Sequence, residues 1–311
     1  MPILIDSLLL IFLFAVLGVA ANLAVKNIKY ITSVLKIRLF AFGILLGLIT
    51  SLPELSVGIN ATVDKVASLS VGNLLGGIMV IFGLILGVSL ILNRQIATSG
   101  NIKTLIPGVA VIFSPVLFGL DGSYGLLDGL AMICLYLGLI FYLYRANHSF
   151  GIPHINIINK NKITKAAFIS MVGIIVILLA SHWIVKITLD LLNYINVSKL
   201  VIGVLVFAIG TNLPEITITI ASWRKKTSEL SLSLLLSSAF TNVLILGILA
   251  SIRPIAFTVG PAYLALAIFM ALILSSFLFF YHSNKKMDRR EGLILLLIYI
   301  LFVGINFWIA K

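Results

Sequence analysis

Apolar residues fill this chain in long runs, interrupted only by short polar or basic clusters. A helix needs about 20 apolar residues to cross the hydrocarbon core of a bilayer. By that measure ten spanning segments are predicted: 5–25, 36–63, 66–93, 103–120, 124–144, 165–192, 197–222, 229–250, 255–281 and 292–309. The interruptions include Asn27 to Lys36, Asn93-Arg94-Gln95, Arg224-Lys225-Lys226 and Asn284 to Glu291. The longest polar stretch, Arg145 to Lys165, divides the spans into five and five. The predicted organisation is an all-α membrane protein: a first five-helix repeat over 1–145, a cytoplasmic linker over 146–164 and a second repeat over 165–311.

Composition supports this picture. The chain is 61% hydrophobic and 10% charged, with a mean hydropathy of +1.20, whereas a soluble domain carries about 25% charged residues. That leaves no room for a sizeable soluble domain. Asp6, with no basic residue before the first apolar run, does not suit the start of a cleaved signal peptide, so a retained first helix is expected. The single cysteine, Cys134, excludes an intramolecular disulfide and argues against a cysteine-built metal centre; a small side chain in an apolar interior is expected there.

The net charge of +12 takes its meaning from its distribution. Of the 22 Lys and Arg residues, 17 fall in the loops that follow odd-numbered spans, and the remainder are Lys65, Lys186, Lys199, Arg253 and Lys311. Positive residues concentrate in cytoplasmic loops. Both termini are therefore expected outside the cytoplasm, in a multi-pass protein of the plasma (inner) membrane. The charge then sets orientation and meets lipid headgroups; no nucleic-acid partner is implied. Five spans per half send the second half into the membrane from the opposite side. Two related halves would then form an inverted repeat, with any substrate site near the midplane where they meet.

One duplication is readable directly. Thr50-Ser51-Leu52-Pro53-Glu54 and Thr211-Asn212-Leu213-Pro214-Glu215 lie 161 positions apart, each inside an apolar run. At the same offset Leu69, Ser70 and Leu74 fall on Leu230, Ser231 and Leu235. An acid at membrane depth is costly and marks function by default. Proline removes a backbone donor and crowds the turn before it, freeing carbonyls such as those of Ile49 and Gly210. Thr50 and Glu54, four apart, share a helix face, as do Thr211 and Glu215. Carboxylates, hydroxyls and freed carbonyls make an oxygen-only ligand set, which hard cations such as Na⁺ and Ca²⁺ require. Two carboxylates close together in low dielectric repel strongly, so either a cation or a proton must compensate them. Asp128 is expected at an interface, and His182 and Trp183 in packing or interface anchoring. Gly43, Gly47, Gly72, Gly76 and Gly77 suit close helix packing.

These motifs resemble the sodium/calcium exchanger family of the cation/Ca²⁺ exchanger superfamily. The matching residues are Gly47, Thr50-Ser51-Leu-Pro53-Glu54, Gly72-Asn73-Leu-Leu-Gly76 and Gly210-Thr211-Asn212-Leu-Pro214-Glu215. The resemblance implies ten helices in two inverted repeats. Helices 2, 3, 7 and 8 would form the transport core, and the long helices 1 and 6 would slide across it. It implies secondary-active antiport by alternating access, Ca²⁺ leaving as Na⁺ enters; no cofactor is expected, and the protein is expected to work as a monomer. By match, Glu54 and Glu215 would be the principal cation ligands, helped by Thr50, Thr211 and the carbonyls of Gly47 and Ala208. Ser51 would line the pathway, Asn212 stands where the family has serine, and Ser238 and Asn242 match ligand positions of helix 8.

The first half departs from that pattern. Gly77 and Ile81 stand where the family carries a serine and a polar Asn or Asp. Their absence should weaken at least one Na⁺ position, so the family's usual coupling ratio is not implied. It keeps open an H⁺-coupled or other-cation antiporter on the same fold. An intramembrane enzyme would need a nucleophile beside a base or an acid dyad built for catalysis, and none is legible. A passive channel would transport without a counter-ion; paired broken helices favour a carrier by architecture.

Overall fold

A computed structural model of the chain describes residues 2–34, 47–93, 95–98, 102–146, 160–192, 197–216, 219, 228–283 and 286–309. Most of the expected linker (146–164), the first part of the 36–63 span, the end of the 197–222 span and Arg224-Lys225-Lys226 lie outside the described residues. Among those described, seven helices are long and apolar enough to cross a membrane, and the shorter apolar helices Leu105–Asp121 and Lys199–Thr211 accompany them.

Helix α1 (Pro2–Val34) is followed, beyond the undescribed stretch, by a helical turn at residues 47–50 that breaks at Ser51 and resumes as α2 (Leu52–Val63). A tight turn, with Lys65 in the left-handed region at φ 59°, leads into α3 (Ala67–Met79). That helix widens into a π-type turn at Val80–Ile85 and continues as α4 (Leu86–Asn93). Next come β1 (Gln95–Ala97), α5 (Ile102–Phe118), β2 (Ser123–Tyr124), α6 (Leu126–Ala146) and α7 (Lys160–Leu192). The later part repeats the irregular theme. Helix α8 (Lys199–Ile202) opens into a π-type turn at Gly203–Phe207, then α9 (Ala208–Thr211), which breaks at Asn212. The chain ends with α10 (Ser228–Ile252), β3 (Ile255–Ala256), α11 (Pro261–His282), β4 (Lys286–Asp288) and α12 (Arg289–Ile309).

Burial sorts these helices into centre and periphery. In its most apolar stretch the Ala67–Asn93 span is 83% buried, against 22% for Leu126–Arg145. The first is enclosed by protein, while the second presents an apolar face such as lipid would cover. Cys134, on that outer helix, is exposed rather than buried in an apolar interior as the sequence suggested, because α6 turns its face outward there. Helices α1 and α7 pack along one another. Each has 33 residues, about 50 Å at the helical rise, which exceeds the roughly 30 Å hydrocarbon core. Such helices must tilt or project.

Glycines bring the central helices together. A Cβ on Gly72 would collide with the Leu200 carbonyl, one on Gly76 would stand 2.8 Å from Val204 Cα, and one on Gly203 would collide with the Leu69 carbonyl. Small residues allow this backbone-to-backbone approach, which sets α3 directly against α8 and the turn after it. Two short antiparallel pairs tie the loops. Gln95–Ala97 pairs with Lys286–Asp288, and Ser123–Tyr124 with Ile255–Ala256. In the second clasp Gly122 takes φ 85°, which glycine adopts without strain, and its carbonyl accepts the Phe257 N–H at 2.9 Å. Asp128 caps the start of α6, accepting the Gly125 N–H at 2.8 Å.

Candidate cation site

The two T-x-L-P-E segments break their helices in the same way. Ser51 has φ −87°, ψ 12° and Asn212 has φ −81°, ψ 9°, a sparsely populated backbone conformation between helix and strand. In both, helix resumes immediately: Leu55 N–H donates to Ser51 O at 3.0 Å and Ile216 N–H to Asn212 O at 3.1 Å. The proline two residues on cannot donate, so the local ladder must break, and the glutamate lands in the first turn beyond. Both acids are buried, Glu54 at 1% exposure and Glu215 at 0%.

The breaks bring the two halves to one place. Glu54 neighbours Thr211 and Glu215, and Glu215 neighbours Thr50. Ser238 donates to Glu215 Oε1 at 2.9 Å and lies 2.9 Å from Thr50 Oγ1. A carboxylate only accepts, so the Ser238 proton goes to Glu215. The Thr50 proton then serves either Ser238 or the Gly47 carbonyl at 3.1 Å. Thr211 Oγ1 lies 3.0 Å from both Asn73 Oδ1 and Phe207 O. One hydroxyl proton cannot fully satisfy two acceptors. With the Asn73 amide turned round, its nitrogen would donate to Thr211, which then donates to Phe207.

The remaining sequence-predicted residues are close by. Asn212 Nδ2 donates to the Ala208 carbonyl at 2.8 Å, so that carbonyl already holds one partner. The Gly47 carbonyl accepts Ser51 N–H at 3.0 Å besides Thr50. Gly47 packs so tightly on Ser237 that a Cβ there would collide with that side chain. Asn242 Nδ2 donates to Leu74 O at 3.2 Å. Ser51, Asn212, Ser238 and Asn242 are all buried.

Several polar atoms are sealed from solvent without a hydrogen-bond partner: Ser51 Oγ, Glu54 Oε2, Glu215 Oε2, Asn212 Oδ1 and Asn242 Oδ1. Burying unpaired polar atoms is costly, and doubly so for carboxylates. Oxygen atoms in that condition suit a hard cation, which takes about six to eight of them if it is Ca²⁺. Among the described residues no Lys, Arg or His is buried to neutralise the acids. None of them forms a group of three or more His, Cys, Asp or Glu, so acids alone do not supply the ligand count.

Asn73 and a polar seam between α2 and α7 lie beside these residues. Asn73, already part of the Gly72-Asn73-Leu-Leu-Gly76 motif, meets Thr211 because Gly72 and Gly76 press α3 onto the second half. Ser56, Ser181, Asn60 and His182 form a polar seam between α2 and α7. The Ser56 and Ser181 hydroxyls are bonded, Asn60 Nδ2 donates to Ser181 Oγ at 3.1 Å, and His182 Nδ1 lies 3.3 Å from Asn60 Oδ1. Helical spacing alone would have suggested Asn60, four residues after Ser56. The Ser181 partner, 121 positions away, has no local signal.

Comparison with known proteins places the sequence and the fold. The profile of the family described as sodium/calcium exchanger protein matches residues 6–145 and 165–308. The sodium/calcium exchanger MaX1 of Methanosarcina acetivorans is 23% identical, over 97% of this chain and 98% of its own. Among solved structures, the sodium-calcium exchanger NCX_Mj superposes with a TM-score of 0.69 at 19% identity, over 97% of this chain and 99% of that one. The H⁺/Ca²⁺ exchanger CAX gives 0.77 at 14% identity, over 97% and 84%.

Proposed function

This chain belongs to the sodium/calcium exchanger family, and we propose that it is a secondary-active antiporter that extrudes Ca²⁺ in exchange for entering Na⁺. The observation that carries this reading is the meeting of Glu54 and Glu215, buried, from segments 161 positions apart, each with a carboxylate oxygen lacking any hydrogen-bond partner. Two like charges about 4 Å apart repel by about 4 kcal/mol even at an effective dielectric of about 20. A bound cation reverses that cost. An empty, doubly charged site resists passing through the low-dielectric barrier, and this couples the movement of one ion to the return of another.

In this proposal Glu54 and Glu215 bind the divalent ion between them, with Thr50 and Thr211 completing the shell and Ser238 orienting Glu215. Ser51, Asn212, Asn242 and the carbonyls of Gly47 and Ala208 provide positions for the counter-ion. The two five-helix halves lie in opposite orientations in the plasma membrane, with both termini outside, and the protein acts as a monomer. Helices α1 and α7 slide over the core along a surface that includes Leu17, Val57, Ile184 and Phe207.

A second reading, H⁺ in place of Na⁺, is favoured by one specific feature. Gly77 has no side chain and Ile81 is fully buried among apolar residues, so neither α3 nor the π-type turn after it offers Na⁺ a side-chain oxygen at these positions. Proteoliposomes separate the two. Ca²⁺ uptake driven by an outward Na⁺ gradient at equal pH supports the Na⁺ reading. Uptake that follows only a pH gradient overturns it in favour of H⁺.

A further inference from the structure

We propose that this carrier exchanges one divalent cation for two monovalent ones, moving no net charge, because Asn212 and Asn242 fill the space beside Gly77 with neutral amides and leave the site only two fixed charges. The inference rests on the antiport reading above and concerns its coupling ratio.

Charge counting comes first. Of the chain's ten acids, Glu54 and Glu215 alone are buried among the described residues, and no basic residue among them is buried. The described residues therefore give the site a fixed charge of −2. One Ca²⁺ brings it to zero, and so do two monovalent cations. A third monovalent cation would leave an uncompensated positive charge in a dry core, which is the condition that burial penalises most heavily.

The side chains agree. A Cβ on Gly77 would stand 2.9 Å from Asn242 Nδ2 and 3.1 Å from Asn212 Nδ2. The two amides occupy the volume that a larger residue at 77 would need. Their orientation follows from their partners. Each Nδ2 donates to a backbone carbonyl, Asn212 to Ala208 and Asn242 to Leu74. Carbonyls only accept, so each NH₂ end is fixed there and each Oδ1 is turned away, buried and unpartnered. The amides can therefore ligate a cation through oxygen while adding no charge. Ile81, at the position matching Asn242 across the 161-residue offset, adds no oxygen at all. Charge therefore limits the site to what two carboxylates neutralise.

The test uses the full-length protein in proteoliposomes, with the potential clamped by a K⁺ gradient and valinomycin. The steady-state Ca²⁺ ratio is measured against imposed Na⁺ gradients and, in parallel vesicles, against pH gradients. The logarithm of the Ca²⁺ ratio should rise with a slope of about 2 on that of the driving ion, and clamping the potential should leave it unchanged. A slope near 3, with the Ca²⁺ ratio changing about tenfold for every ~60 mV, overturns the inference while preserving the antiport reading. Vesicles that move Ca²⁺ under neither gradient overturn both. Asn242→Asp adds a third carboxylate and should convert the slope toward 3 and introduce the voltage dependence. A variant that transports Ca²⁺ at the unchanged slope, insensitive to potential, would remove Asn242 from the account.

Discussion

Ser51 and Asn212 hold almost the same backbone angles, and each leads through Leu-Pro into a buried glutamate. The helices that pack behind them do not match. In the first half α3 presents Gly77 and the π-type turn after it presents Ile81; in the second, α10 presents Ser238 and Asn242 at the corresponding positions. Consequently Glu215 receives a hydroxyl from its own half, at 2.9 Å. Glu54 finds its hydroxyl neighbour, Thr211, across the interface. The backbone break is dictated by proline and is hard to alter without losing the fold. The side chains that surround the break are free to diverge, and in the proposed carrier they would set how many ions the site holds and of what charge.

The sharpest way to break this comparison is to neutralise each acid in turn. Glu54→Gln and Glu215→Gln should each lower gradient-driven Ca²⁺ flux at least about 100-fold, since truncating one charge of a shared site costs about 3 kcal/mol or more. Radiotracer uptake in proteoliposomes checks this. Equal losses mean the halves share one ion; retention of flux in either variant means they do not. Ser238→Ala comes next. It removes a hydrogen bond to a charged group, worth about 1.5–3 kcal/mol, so apparent Ca²⁺ affinity should fall about tenfold or more. Gly77→Ala, its counterpart, removes no hydrogen bond and should act only by crowding Asn212 and Asn242.

Smaller effects probe the contacts between halves. Asn73→Ala deletes the α3 partner of Thr211. A neutral hydrogen bond contributes about 1 kcal/mol, so a loss of about fivefold in apparent affinity is expected by the same assay. Ser181→Ala, in the seam between α2 and α7, touches no proposed ligand. It should change maximal flux by about two- to threefold and leave the affinity for Ca²⁺ as it was. A shift in affinity of similar size would place the seam inside the binding site rather than at a moving surface.

Much of this was legible in the sequence because membrane depth makes polarity informative. Pro53-Glu54 and Pro214-Glu215 announced both the breaks and the acids, and the 161-residue offset announced that they belonged together. Long apolar runs gave the all-helical membrane character, and seven of the helices among the described residues are long enough to span. The seam of Ser56, Asn60 and Ser181 and the role of Asn73 were not legible, because each depends on which faces meet across more than 100 residues. Gly72, Gly76 and Gly203 were readable as small residues, yet only packing reveals that they bring α3 against α8 and so place Asn73 on Thr211. Gly77 and Ile81 were visible as departures from the polar pattern that the family resemblance implies. That Asn212 and Asn242 close over Gly77 required the fold. The outward face of Cys134 was likewise invisible, since an apolar run reads the same whether lipid or protein covers it.

The central claim, one divalent ion held by carboxylates from both halves, is tested most directly by anomalous X-ray scattering from crystals of the protein grown with Ca²⁺. The account predicts a single strong peak about 2.3–2.6 Å from carboxylate oxygens of both Glu54 and Glu215. A peak bound to only one of the two, or lying outside the buried core, would contradict it.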